Sequence, residues 1–258
     1  MQVDVPWFGG LSAIDVNSQG TALTILGDKG VFLTVRIERP QGVPAIAEIS
    51  DPTQLRGQDG TELDMPAGDA EGLSVLGNDR FCVAFEGRPR VACYDTPQSA
   101  ARVLPHPPGR SALAPNRSYE ALAVDRFDTL WTLAETPNAQ GLAPLYAWQS
   151  DTWARMALLP GYGTFSPVGA DFGPDGQLYI LERALGVTGF RSRIRRWDPK
   201  HPDAIPTTLL RTSGGRHGNL EGIAVWRDHS DHLRATMVSD NNFNAIQRTQ
   251  LVEYQLPD

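Results

Sequence analysis

This sequence specifies an all-β protein built as one β-propeller spanning residues 1–258. A motif recurs about every fifty residues, short apolar strands alternate in period two, and turn-forming residues are spread evenly between them. The 25 Gly and 20 Pro act as punctuation, and few stretches carry an i, i+3, i+4, i+7 apolar stripe, so a helical fold fits poorly.

Five segments carry the motif: "LSAIDVNSQGTALTILGDKG", "AEGLSVLGNDRFCVAFEG", "YEALAVDRFDTLWTLAET", "GADFGPDGQLYILERA" and "LEGIAVWRDHSDHLRATMVSDN". Each has a small or acidic residue, an apolar strand, a polar turn and a second apolar strand running into an acid. With Ser12, Glu71, Glu120, Ala170 and Glu221 taken as equivalent, the intervals are 59, 49, 50 and 51 residues. A third strand follows in "VFLTVRI", "RVACYD", "PLYAW", "RIRRWD" and "QLVEYQL", and a fourth in "AIAEIS", "ARVLP", "RMALLP" and "TTLLRT". Four short strands per repeat describe a propeller blade. The count is five blades, with six the alternative if residues 30–68 conceal another. The last repeat has three clear strands, so residues 3–8 are expected to supply its fourth and close the ring.

The formal charge of −7 argues against a nucleic-acid partner, which wants a basic face, and is compatible with attracting cations. No apolar run approaches the ~20 residues that span a bilayer. The start, "MQVDVPWFGG", carries no export signal as given. In "FCVAFEGRPRVACYD" the turn at Glu86-Gly87-Arg88-Pro89 sets Cys82 opposite Cys93 on paired strands. Opposed residues are close enough for a disulfide, and two buried free thiols are the equal alternative.

First and second strands of a blade run antiparallel, so the start of one and the end of the next meet at one end of the ring. The starts carry Glu71, Glu120 and Glu221, with Asp171 beside Ala170, and the ends carry Asp28, Glu86, Glu135, Glu182 and Asp240. A ring of carboxylates at one channel mouth is expected. Such a ring repels itself and calls for a counter-charge. A hard divalent cation supplies it, and Ca²⁺ takes ~6–8 oxygen ligands. Capping of loop amides, or pairing with Arg117 and Arg183, is the alternative that needs no ion. No His or Cys cluster has zinc-like spacing, and His217 reads as a surface loop residue. "GLSA" and "GLSV" lack the G-x-S-x-G elbow of a serine nucleophile.

In this order, "DAEGLS", "NRSYEALAV", "LYILER", "NLEGIAV" and "SDNNF" resemble the signature segments of the phytase-like family, described as having esterase-like activity of phytase. The resemblance runs from about residue 9 to residue 254. It implies a secreted or periplasmic bacterial propeller, loosely similar to calcium-dependent propeller phytases and to lactonase propellers. It carries over onto Glu71, Glu120, Glu182, Glu221, Asp240 and Asn241 as motif acids and amide, and onto Arg117 and Arg183 as motif cations. Ala170 departs from the pattern, with Asp171 beside it.

The expectation is a calcium-dependent hydrolase of phosphate or carboxyl esters. Glu71, Glu221, Asp240 and Asn241 hold the ion, and Glu120 or Glu182 acts as general base. Arg117, Arg183 and Lys29 neutralise a small anionic ester substrate. The alternative is a non-catalytic propeller that binds a ligand or protein at the same mouth, with a structural cation.

Overall fold

The structure is a computed structural model that describes residues 9–108, 119–135, 137, 138, 140–161, 163–244 and 247–257. The first blade comprises β1 (Leu11–Val16), β2 (Ala22–Gly27), β3 (Val31–Glu38) and β4 (Ala45–Ile49), with β5 (Thr53–Gln54) also on β3. The second comprises β6 (Ala70–Val75), β7 (Phe81–Phe85), β8 (Arg90–Tyr94) and β9 (Arg102–Val103). The third comprises β10 (Ala121–Val124), β11 (Leu130–Leu133), β12 (Leu142–Gln149) and β13 (Thr152–Pro160). The fourth comprises β14 (Ser166–Phe172), β15 (Leu178–Gly186), β16 (Gly189–Trp197) and β17 (Thr207–Arg211). The fifth comprises β18 (Asn219–Arg227), β19 (Leu233–Asp240) and β20 (Leu251–Gln255). Among the described residues the only helical pieces are short 3₁₀ turns at Pro40–Gly42 and Gly77–Asp79.

Five blades therefore form, not six. Residues 30–68 hold β3, β4 and β5 of the first blade instead of a further one. The closing strand expected at residues 3–8 lies outside the described residues. Innermost strands β1, β6, β10, β14 and β18 pack on one another in cyclic order and line the axis.

The core is divided among the blade interfaces. Each of five buried clusters joins two neighbouring sheets, and Ala224 and Val238 of the fifth pack on Ile14 and Ile25 of the first to complete the circle. Fully buried Ile25, Ile180 and Val83 are sealed by period-two alternation, each stabilising by about 1.5–3 kcal/mol. The turn at residues 86–89 sets Cys82 against Cys93, and the two are bridged.

Ladder register changes one equivalence drawn from the sequence. β1, β6, β14 and β18 each carry a bulge near their start, where Ser12, Glu71, Val168 and Glu221 are the extra residues. Val168, not Ala170, is thus the fourth-blade counterpart of Glu71. Spacing alone missed this because Val168 follows Glu120 after 48 residues and precedes Glu221 by 53, whereas Ala170 divides that stretch almost evenly into 50 and 51. A bulge re-aims its side chain, which is how Glu71 and Glu221 turn toward the axis. The glycine that follows has a steric reason: a Cβ on Gly72 would collide with the Glu120 carbonyl, and one on Gly222 with the backbone of Ala13. Close approach of neighbouring inner strands gathers the acids.

Candidate functional site

The acids meet at the mouth where inner strands begin and second strands end. Carboxylate oxygens of Asp69, Glu71 and Glu86 lie within 4.8 Å of one another, as do those of Glu86, Glu120 and Glu135. Glu86 joins the two triads. Asp69 was not among the residues expected here. Its signal was present in "DAEG", an acid two residues ahead of Glu71, and the backbone tie from Glu86 N to the Asp69 carbonyl (2.8 Å) brings its residue to the second strand's end.

Burial raises the affinity of these groups for protons, and their neighbours add to it. Glu71 is held well above the usual carboxylate range by burial and then by Glu221 and Glu120. Glu120 is raised by burial, Glu135 and Glu86. Glu86 is pushed up to about 7 by burial, Asp69 and Glu135, against the pull of Arg183. Asp28 reaches about 7 through burial and Asp240, with Lys29 opposing. Asp69 and Asp240 are raised, chiefly by burial.

Arg183 enters this ring as a cation. It pairs with Glu221 and donates to Asn219 Oδ1 (2.7 Å), while Asn219 Nδ2 donates to Glu221 Oε1 (2.8 Å) and reaches Asp240 Oδ2 (3.5 Å). Burial lifts Glu221 to about 7 even with Arg183 beside it.

The reason Arg183 lies there is register. Gly27, Phe85 and Ser239 pair with the residue before each bulge, and the next residues are Asp28, Glu86 and Asp240. In the fourth blade that pairing residue is Glu182 itself, opposite Pro167, so the ring position falls to Arg183. Glu182 is one step out of phase, and one step along a strand turns a side chain to the other face. It points toward the third blade, buried at 1% exposure, with Oε2 accepting from Arg193 Nε (2.5 Å) and Oε1 paired with Arg195. The expectation of Glu182 as a base at the mouth is corrected accordingly.

Of the other expected residues, Glu71, Glu120, Glu221, Asp240 and Arg183 come together. Asn241 stands beside them, but its Oδ1 accepts from Gly10 N (2.9 Å) and Phe243 N (3.2 Å), tying the fifth blade to the first. Lys29 lies with Nζ 3.4 Å from the Phe243 ring centroid, on a cleft of about 270 Å³ that Asp28 also lines. Arg117 lies outside the described residues. Asp171 does not stand in for the missing fourth acid: it sits toward the far end of β14, accepting from Val225 N (2.6 Å) and facing Asp15.

The donor set fits a hard cation. It is all oxygen, two triads converge on one carboxylate, and Asp28 Oδ1 is buried without a hydrogen-bond partner. A cation would offset the burial that chiefly raises these pKa values and the repulsion that adds to it.

The family model "Phytase-like: Esterase-like activity of phytase" matches residues 6–243. No curated protein matches the chain. Among solved structures, it is similar to the PQQ-bound aldose sugar dehydrogenase of Streptomyces coelicolor (12% identity, TM-score 0.53, covering 100% of this chain and 97% of that one). It is also similar to a gluconolactonase of Xanthomonas campestris (15%, 0.50, 96% and 86%) and to a putative gluconolactonase (10%, 0.52, 90% and 73%). At such identities these likenesses bear on the propeller fold alone.

Proposed function

This chain belongs to the phytase-like family, and on that premise we propose that it is a calcium-dependent hydrolase of phosphate or carboxyl esters acting at the acidic mouth. The observation that carries the reading is the pair of carboxylate triads sharing Glu86. Asp69, Glu71, Glu86 and Glu135 would hold the ion, with Glu221 and Asp240 at its margin. A calcium ion bound there supplies Lewis-acid polarisation of a phosphoryl or carbonyl oxygen.

The chain's own residues supply the rest. Glu120, buried at 7% exposure with a raised proton affinity, holds or takes a proton on its carboxylate as general base. Arg183 presents a guanidinium to an anionic oxygen, poised by Asn219. The cleft between Leu11, Leu33 and Phe243 offers an apolar wall to the remainder of a small ester, with Lys29 at its edge. The Cys82–Cys93 bridge supports a working place in an oxidising compartment, the periplasm or the cell exterior.

The test is a calcium titration run with and without chelator, reading bound metal, thermal midpoint and hydrolysis of phosphate-ester, carboxyl-ester and lactone substrates. Calcium is expected to raise the midpoint and to be required for turnover of one ester class. No response of either readout to chelation rejects the ion. Stabilisation with no turnover favours the ligand-binding propeller, a reading that Arg183 already pairing with Glu221 supports.

A further inference from the structure

One step along β15 from the acidic mouth, the fourth blade carries an excess of the opposite sign. Glu182, Arg193 and Arg211 stand directly across from one another on β15, β16 and β17. Opposed residues of antiparallel strands project to the same face. Arg191 and Arg195, two residues to either side of Arg193, share that face by alternation. Phe165, ahead of β14, sits among them. The guanidinium carbons of Arg193, Arg191 and Arg211 lie 4.4, 5.6 and 5.7 Å from its ring centroid.

Among the described residues, four arginines thus share this face with the Glu182 carboxylate, in a chain whose formal charge is −7. Glu182 is engaged by Arg193 and Arg195. Among the described residues Arg191 and Arg211 form no salt bridge, and Arg191 Nε is buried without a hydrogen-bond partner. Like charges set directly opposite destabilise a sheet. Phe165 attracts the cations through its ring face, yet offers no acceptor for the guanidinium forks. An oxyanion does, in bidentate geometry. Arg211 is exposed, and Arg191 and Phe165 are half-buried, so the group opens to solvent at its outer side.

We infer that Arg191 and Arg211, backed by Phe165, form a binding site for a doubly charged oxyanion, a phosphate or phosphomonoester group. Resting on the hydrolase reading above, this narrows the substrate to an ester that carries a second anionic group away from the bond that is cut. Glu182 and Arg193 hold the row in place, and Arg183, the next residue, faces the mouth.

The test titrates inorganic phosphate by calorimetry into the full chain kept in chelator at low salt, so that no metal at the mouth contributes. One phosphate is expected to bind per chain, with affinity falling about tenfold or more in Arg211→Gln and in Arg191→Gln, and falling with added salt. Absence of binding at millimolar phosphate, or equal affinity in the variants, overturns the site. Arg211 is exposed, so Arg211→Gln tests the site even where Arg191→Gln lowers the thermal midpoint. Phosphate binding in chelator without any calcium-dependent ester hydrolysis supports the oxyanion site and rejects the hydrolase. Hydrolysis without phosphate binding does the reverse.

Discussion

Glu182 and Arg183 are neighbours on β15, and each is the odd charge in its surroundings. Arg183 projects toward the fifth blade into a ring of acids, where it pairs with Glu221. Glu182 projects toward the third blade into a row of arginines, where it pairs with Arg193 and Arg195. The two regions differ in burial. Glu182, Arg193 and Arg195 are 1% exposed, whereas Arg183 and Glu221 keep 24% and 13% of their side chains exposed. In the row the buried carboxylate of Glu182 is thus a structural necessity. At the mouth, access remains for a charge from solution.

The largest expected effect breaks the row. Glu182→Gln leaves two buried guanidinium groups short of their carboxylate and should cost about 3–5 kcal/mol of stability, read by denaturant unfolding. A loss under about 1 kcal/mol would mean the row is not held by this acid.

The mouth should respond in the contrary sense. Glu86→Gln removes a carboxyl already raised to about 7 and leaves an isosteric amide among acids. Metal-free stability at pH 8 should be unchanged or up by about 1 kcal/mol, while calcium affinity drops about tenfold or more. Equal calcium affinity in variant and parent would remove Glu86 from the ligand set.

Acidity sharpens the same contrast. Asp28, Glu86 and Glu221 have folded pKa values of about 7, above their unfolded values, so the native state binds more protons than the unfolded one between them. The share of metal-free stability that these three groups contribute should be full below about pH 4 and decline as pH rises to about 7, levelling beyond. Saturating calcium, which prefers the ionised carboxylates, should flatten or invert that slope. Thermal midpoints across pH 4–8, with calcium and with chelator, check it, and a metal-free midpoint that rises over this range would contradict the carboxylate ring.

The smallest effect concerns the seam beside the mouth. Asn241→Ala removes acceptors from Gly10 N and Phe243 N and should lower stability by about 1 kcal/mol, with calcium affinity changing less than in Glu86→Gln. A larger loss of calcium affinity than of stability would return Asn241 to the ligands.

The repeat, the strands, the hairpin that opposes Cys82 to Cys93 and the gathering of Glu71, Glu120, Glu221 and Asp240 at one mouth were all legible in the sequence. Period-two alternation and turn chemistry are local, and a fifty-residue period states them five times. Register was not legible. It decided that Val168 replaces Ala170, that Asp69 joins Glu71 and Glu86, and that Arg183 holds the ring position while Glu182 turns away among arginines. A bulge shifts pairing by one residue without leaving a mark in composition, and in a strand one residue is the difference between the two faces. The acids' existence was therefore written in the chain, but which of them look at one another was decided only when neighbouring blades closed into the ring.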